Sequence, residues 1–179
     1  SSKNIQPFWM LIVKVFHKAG IKSAASLSIQ TLNLRARKLT GRKNVDLTVM
    51  KSVNETLRCY ENPGFVELIW PLPGETLKTF VDGLQVLFRQ EFLPLQIYPL
   101  LLLNNTRMEE MKDELSLSVI EADDADSEAA VVVSTKEVDK DEYKRGLWYI
   151  FANYVLADCK GLFCLARHLD QTDKKSLPS

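Results

Sequence analysis

The stretch LIWPLPGETLKTF, from Leu68 to Phe80, joins a short apolar run to an amphipathic segment through a Pro-Gly turn. The apolar run, which begins at Phe65, is rich in strand formers and is typical of a buried parallel strand. Gly74 permits a tight turn and lets the backbone come close to a flat ligand. From Leu77 onward, apolar residues recur every three or four positions, which predicts a helix. The stretch therefore predicts a strand, a turn and a helix in succession.

The same alternation of apolar runs and helical periodicity continues on both sides of this stretch. Ala24 to Ile29 and Leu95 to Tyr98 are predicted as further buried strands, and Asn33 and Asp46 as caps that begin helices. Strands that alternate with helices through short connections pair in parallel, with right-handed crossovers. We therefore predict an α/β fold in which a few parallel strands carry helices on one face.

The C-terminal part predicts a further strand and a helical appendage. Ala129 to Ser134 is an apolar run, and Asp139 with Glu142 forms a capping pattern at the start of a long helix. The apolar residues spaced along that helix are Tyr143, Leu147, Ile150, Phe151 and Tyr154.

The segments that follow the three predicted parallel strands are candidates for a ligand site. They are Gln30 to Asn33, Pro71 to Thr76 and Pro99 to Thr106. In open parallel sheets, ligands bind at the carboxyl ends of the strands. The same segments contain the unusual residues of this part of the chain, so a site is predicted along that edge.

These stretches resemble successive segments of radical S-adenosylmethionine (SAM) enzymes of the cobalamin-associated kind. LPGET, at Leu72 to Thr76, is similar to the turn after their fifth barrel strand, near the adenosyl group of SAM. SLSIQTLN, at Ser26 to Asn33, resembles their fourth strand, where polar side chains approach the SAM ribose. LQIYPLLLLNNT, at Leu95 to Thr106, resembles their sixth strand and the loop that backs the adenine. Val131 to Leu169 looks like the tail of these enzymes, many of which are methylases. The resemblance covers roughly Pro7 to Leu169.

The resemblance implies a specific domain organisation and ligand. Residues 1–115 would form half of a TIM-like barrel of parallel strands with outer helices, residues 116–170 a strand-and-helix extension, and residues 171–179 a tail. SAM is the implied ligand, while a [4Fe–4S] cluster and cobalamin would come only from segments that this chain lacks. The residues implied on the SAM side are Gln30, Asn33, Pro71, Gly74, Glu75, Gln96 and Tyr98. For the polar side chains among them, hydrogen bonding within the fold is the open alternative.

The sequence also departs from the family pattern. The three cluster-binding cysteines of a CxxxCxxC loop are absent, and the cysteines present are Cys59, Cys159 and Cys164. The last two are five residues apart on a predicted helix and so point in different directions. Pro71 stands where a glycine usually precedes LPGET, and proline removes an amide donor from that turn.

Two functions follow from the resemblance and these departures. The first is the SAM-facing C-terminal portion of a cobalamin-type, methylase-like radical SAM enzyme, which is not competent alone. The alternative is a non-catalytic descendant of that fold, kept as a structural or docking subunit of a larger complex. The two differ in whether the carboxyl edge of the sheet still binds SAM.

Composition and patterning limit the partners and the location. Lysine plus arginine equals aspartate plus glutamate at 23 each, so the chain lacks the basic excess of a nucleic-acid-binding domain. Three cysteines suggest a reducing compartment, which we take to be the cytoplasm. His17 and His168 have no neighbouring thiol or carboxylate at metal spacing, so no metal site is predicted. The helix from Phe8 to Phe16 is apolar on nearly all sides, so we expect a protein partner or the missing half to cover it, ahead of membrane contact.

Overall fold

The computed structural model describes residues 7–21, 25–41, 46–60, 64–92, 94–121, 129–158, 162, 164–166 and 168–169. Its helices and strands, in chain order, are α1 (Pro7–Lys18), β1 (Ala25–Gln30), α2 (Leu34–Leu39), α3 (Leu47–Cys59), β2 (Gly64–Trp70), α4 (Leu77–Arg89), β3 (Leu95–Pro99), β4 (Leu101–Leu102), α5 (Arg107–Glu110), β5 (Ser118–Glu121), β6 (Ala130–Ser134) and α6 (Lys140–Asp158). The predicted tail, residues 171–179, and Cys159 lie outside the described residues.

The first three strands form a parallel sheet in the order β1-β2-β3. Leu27 of β1 pairs with Val66 of β2, which in turn pairs with Leu95 of β3. The predicted α/β fold with neighbouring parallel strands is therefore confirmed. The strands of the described part of the chain do not close into a barrel.

One face of the parallel sheet carries the main core. Its buried residues alternate along each strand, as a strand period of two requires: they are Leu27, Ile29, Val66, Leu68, Trp70, Leu95 and Ile97. Helices α3 and α4 contribute the facing residues Met50, Val53, Leu57, Phe80, Leu84 and Leu87. Trp70 and Phe80 stack with their ring centroids 4.4 Å apart. Each of these side chains adds about 1.5–3 kcal/mol by leaving water, so the sheet is held mainly from this side.

The helices begin where the sequence places capping side chains. The carboxylate of Asp46 accepts from the N–H groups of Thr48 and Val49, and the amide oxygen of Asn33 caps α2 in the same way. Thr76 and Thr79 form a capping box at the start of α4, since each side chain accepts from the other's backbone N–H. These bonds satisfy amide groups that have no partner within the helix, which fixes each helix start to one residue.

A second, antiparallel sheet of order β4-β6-β5 follows the first. The chain passes between the two sheets at Leu100, whose N–H donates to Trp70 O (3.0 Å) and whose carbonyl accepts from Val132 N (2.9 Å). A separate apolar cluster that includes Leu102, Leu117 and Val132 lies under this sheet. The strand predicted over Ala129 to Ser134 is confirmed, whereas β5 and α5 were not predicted.

Helix α6 packs on the parallel sheet and along its β3 edge. Gly146 lies against Trp70, because a Cβ on that glycine would be 2.4 Å from the Trp70 ring. The Tyr154 hydroxyl accepts from Ile97 N (3.1 Å) and donates to Ile97 O (3.2 Å), and Asn153 donates to Leu95 O (3.5 Å). The N–H and carbonyl of Ile97 and the carbonyl of Leu95, on the outer side of this edge strand, therefore bond to side chains of α6.

Of the apolar side chains that the structure describes in helix α1, most lie in solvent. Among its residues with described side chains, Val13 is buried in the main core, and His17 contacts the ring of Tyr60 with centroids 5.1 Å apart. Leu11 and Val15 are 62% and 54% exposed. Nothing in the described part of the chain is a helix of the length and apolarity that crossing a membrane demands.

Candidate functional site

The carboxyl ends of the three parallel strands meet at one edge of the sheet. Trp70, at the end of β2, pairs with Pro99 at the end of β3, and Gln30 at the end of β1 pairs with Leu68. The pairing shifts register just before Gln30, whose backbone is left-handed at φ 66°. The segments after the three strands are thus neighbours in space. We call these segments (Gln30 to Asn33, Pro71 to Thr76 and Pro99 to Thr106), together with the residues that contact them, the rim.

A buried pair, Thr31 and Glu75, lies at the centre of the rim. The Thr31 hydroxyl donates to Glu75 Oε1 at 2.7 Å, and both residues are only 2% exposed. The second carboxylate oxygen, Oε2, has no hydrogen-bond partner. Burial raises the pKa of Glu75 from its ordinary value of 4.5 to about 7, and the bond from Thr31 opposes that rise. The resemblance implied that Glu75 lies on the SAM side, but in the structure its side chain is buried within the fold.

The side chain of Asn33 makes hydrogen bonds within the fold through both its oxygen and its nitrogen. Its amide oxygen accepts from the N–H groups of Arg35 (2.8 Å) and Ala36 (3.0 Å), and its amide nitrogen donates to Thr79 Oγ1 (2.9 Å). The side chain therefore ties the start of α2 to the start of α4. For Asn33 the structure supports the alternative of hydrogen bonding within the fold.

Gly74 and Pro71 form the joint between the sheet and α2. Gly74 is left-handed at φ 85°, and a Cβ there would lie 2.7 Å from Leu39 Cδ1 and 3.2 Å from Ala36 N. Pro71 is fully buried. Glycine is required at position 74 because α2 packs closely against the turn. The sequence predicts a different reason, namely that this glycine lets the backbone come close to a ligand.

An ion pair closes the rim from the C-terminal side. Glu137 accepts the N–H of Gly74 at 3.0 Å through one carboxylate oxygen and pairs with Arg35 at 2.9 Å through the other. Arg37 is buried and donates from Nε to Thr31 O at 2.8 Å, and burial lowers the pKa of its guanidinium. These three charged residues were not predicted as part of the site, because Glu137 contacts Arg35 and Gly74 across 102 and 63 residues of sequence.

A second group of polar residues lies on the face of the sheet opposite α3 and α4. We call it the open face: Ser26, Ser28, Glu67, Gln96 and Tyr98 alternate with the buried residues of the three strands. Ser28 donates to Glu67, and Glu67 pairs across the strands with Gln96. The Tyr98 hydroxyl donates to Gln96 Oε1 at 2.6 Å, and Tyr98 is 45% exposed.

The open face offers groups suited to a ligand with both polar and flat parts. It offers one carboxylate, one amide, two hydroxyls of serine and the ring and hydroxyl of Tyr98. Gln96 and Tyr98 were predicted as site residues from sequence, but Ser28 and Glu67 were not. The signal for Glu67 was present, since a single acid interrupts an otherwise apolar strand.

The described residues contain no group of three or more histidine, cysteine or acidic residues placed to hold a metal ion. Cys59 and Cys164 are both exposed. A comparison with models of protein families and a comparison with curated proteins each gave no match to this chain.

Proposed function

We propose that this chain is the SAM-facing C-terminal portion of a cobalamin-type, methylase-like radical SAM enzyme of the cytoplasm. One observation supports this above others. Three stretches that resemble consecutive strands of that family lie on three neighbouring parallel strands, and their carboxyl ends share one edge. The sheet would be half of a TIM-like barrel, with helices outside and the open face inside.

In this proposal the open face contacts SAM and the rim holds the open face in place. The ring of Tyr98 offers an apolar surface to the adenine, and Gln96 can accept and donate hydrogen bonds. Glu67 supplies negative charge opposite a ligand that carries an ammonium and a sulfonium group. Asn33, Gly74 and Glu75 are already occupied or buried, so they act as positioning residues.

The chain's own contribution is to bind and orient. When SAM is bound at a reduced [4Fe–4S] cluster it supplies radical chemistry, and three cysteines in a CxxxCxxC loop, which this chain does not contain, hold such a cluster. The chain therefore exposes a binding surface, while the cluster and any cobalamin belong to another segment or another chain.

The proposal is tested by isothermal titration calorimetry with SAM at millimolar concentration. Binding is expected for the wild-type chain and should be weakened by Tyr98→Ala, which removes the aromatic surface. The matched control is Val49→Ala, which truncates an exposed side chain on α3, on the other side of the sheet. Equal heats from all three proteins, or none from the wild type, would contradict the proposal.

The second candidate is a non-catalytic docking subunit, and the surface of α6 favours it. Trp148 and Phe151 are 71% and 59% exposed and contact each other edge to face, with centroids 6.1 Å apart. Leu147 and Val155 extend the same exposed row. An exposed apolar row of this kind is typical of a surface that another protein covers.

The two candidates are separated by one pair of measurements. A docking subunit should give no heat with SAM, and Trp148→Glu should release it from its complex in native cells, as read by size-exclusion chromatography. Lys51→Ala, on an exposed position of α3, is the control for that release. SAM binding that survives Trp148→Glu would favour the enzyme portion instead.

A further inference from the structure

The N-terminal quarter of the chain has a strong charge bias that the zero net charge of the whole conceals. Nine of the 23 lysine and arginine residues precede Asp46, which is the first acidic residue in the sequence. The remainder of the chain is correspondingly acidic. A bias of this size at one end of a chain is an electrostatic argument for an anionic partner.

The apolar side of α1 is exposed next to its lysines. Leu11, Ile12, Val15 and Phe16 are 62%, 42%, 54% and 36% exposed. Because successive helix residues are about 100° apart, these four side chains occupy one continuous arc. Lys14 and Lys18, both exposed, lie at the margin of that arc, and α1 contains no acidic residue.

The opposite side of α1 attaches the helix to the domain. Val13 is buried in the main core, and His17 contacts Tyr60 of the chain segment that ends α3. The helix is therefore anchored along the line of these two residues, and the described side chains away from that line face outward. At 12 residues it is about 18 Å long, which is too short to span a bilayer but suits a helix lying in its surface.

We propose that α1 binds the surface of an anionic membrane, lying in the plane of the bilayer. Leu11, Ile12, Val15 and Phe16 enter the boundary between headgroups and acyl chains, and Lys14 and Lys18 extend along the apolar margin to the lipid phosphates. Lysine stems follow apolar surface while the ammonium group stays in the polar layer, so this flanking arrangement satisfies both parts of the side chain. This inference does not depend on SAM binding.

Anionic lipid fits the described residues better than the other partners considered. A nucleic acid would satisfy the lysines, but it offers little that would cover branched aliphatic side chains such as Leu11 and Val15. A protein partner, which the sequence alone favoured, would cover the apolar arc, but it does not explain the absence of acidic residues before Asp46. Anionic lipid accounts for both features.

The test is co-sedimentation of the chain with vesicles of equal parts phosphatidylserine and phosphatidylcholine, compared with phosphatidylcholine alone. Binding is expected only to the mixed vesicles and should weaken as salt is added. Lys14→Gln with Lys18→Gln should weaken partitioning roughly 30-fold, since each lysine near the surface contributes about 1 kcal/mol. Leu11→Glu with Val15→Glu should weaken it at least about tenfold, because both charges enter the apolar layer.

The matched control is Trp148→Glu with Phe151→Glu, which adds the same charges to the exposed apolar row of α6. It should leave partitioning unchanged. Because Leu11 and Val15 are exposed, their variants should keep the near-UV circular dichroism spectrum and the urea midpoint of the wild type. These measurements distinguish a loss of membrane binding from unfolding.

Three results would overturn the proposal. The first is absence of binding to the mixed vesicles. The second is loss of binding in the α6 control while the α1 variants still bind. The third is that single-stranded RNA displaces the wild-type chain from the vesicles and also binds the Leu11→Glu, Val15→Glu variant as tightly as it binds the wild type. That result would identify the partner as a nucleic acid.

Discussion

The rim and the open face of the parallel sheet both contain polar groups but use them differently. On the rim, Asn33, Glu75 and Glu137 bond to Thr79, Thr31 and Gly74 within the protein. On the open face, Gln96 and Tyr98 bond mainly to each other and remain exposed. We therefore expect changes on the rim to affect stability and changes on the open face to affect the proposed ligand binding.

The largest effect that separates the two regions should come from Gly74→Ala. The new Cβ would meet Leu39 Cδ1 and the backbone of α2, and the left-handed backbone would be strained as well. We expect a loss of about 3 kcal/mol or more in the free energy of unfolding, measured in urea.

The control for that variant is Gly41→Ala. Gly41 is also left-handed, at φ 67°, but no atom lies within 4 Å of the position of its Cβ. Only the backbone strain remains, so the expected loss is about 1 kcal/mol. Equal losses in the two variants would show that the contact of α2 with the turn is unimportant.

Glu75→Gln should change how stability depends on pH. The folded chain holds the Glu75 proton up to about pH 7, whereas the ordinary pKa is 4.5. Between these values the folded state binds more protons than the unfolded state, so the free energy of unfolding falls as pH rises, by up to about 3 kcal/mol. The glutamine variant lacks this titration and should be the more stable protein above pH 7, as read by urea unfolding across that range.

Thr31→Val provides the opposite test of the same pair. It removes the hydroxyl that donates to the Glu75 carboxylate and opposes the rise of its pKa. The decline of stability with pH should then become larger than in the wild type. A decline of unchanged size in both Thr31→Val and Glu75→Gln would mean that this pair does not titrate as proposed.

Asn33→Ala should have an intermediate effect. It removes the cap of α2 and the bond to Thr79, for an expected loss of about 2 kcal/mol. Asn33→Asp keeps the capping oxygen but not the amide donor, so about half of that loss should remain. Thermal or urea unfolding distinguishes the two: identical losses would leave the cap of α2 without a role, and no loss in Asn33→Asp would leave the bond to Thr79 without one.

The smallest effect on stability should come from the open face. Gln96→Ala and Tyr98→Phe break an exposed hydrogen bond between two side chains and should change the free energy of unfolding by less than about 0.5 kcal/mol. If the proposed SAM contact exists, the same changes lower SAM affinity in calorimetry. A large loss of stability in either variant would show that the open face contributes to the stability of the fold.

Local patterns were sufficient to predict most of the elements. Strands β1, β2 and β3, the caps Asn33 and Asp46, and the helices α3 and α4 follow from periodicity and capping chemistry that act within a few residues. Strand β5 and helix α5 were missed because they are only four residues each, which is too short for a periodicity to show in the sequence.

The roles of polar residues could not be predicted in the same way. Whether Asn33 or Glu75 faces a ligand depends on Thr79 and Thr31, which are 46 and 44 residues away in sequence. The same limit applies to α6: Tyr143 and Ile150 pack on the core as a regular stripe predicts, but Leu147 and Phe151 are exposed. Their surroundings are set by how α6 crosses the sheet, which no local pattern encodes.

The hydroxyl of Tyr154 restricts the parallel sheet to growth on one side. It occupies both backbone groups of Ile97 on the outer side of β3, so a further strand cannot pair there while α6 is in place. At the other side, β1 pairs with β2 alone among the described strands. Any strand that enlarges this sheet, from the same polypeptide or another, has to be added next to β1.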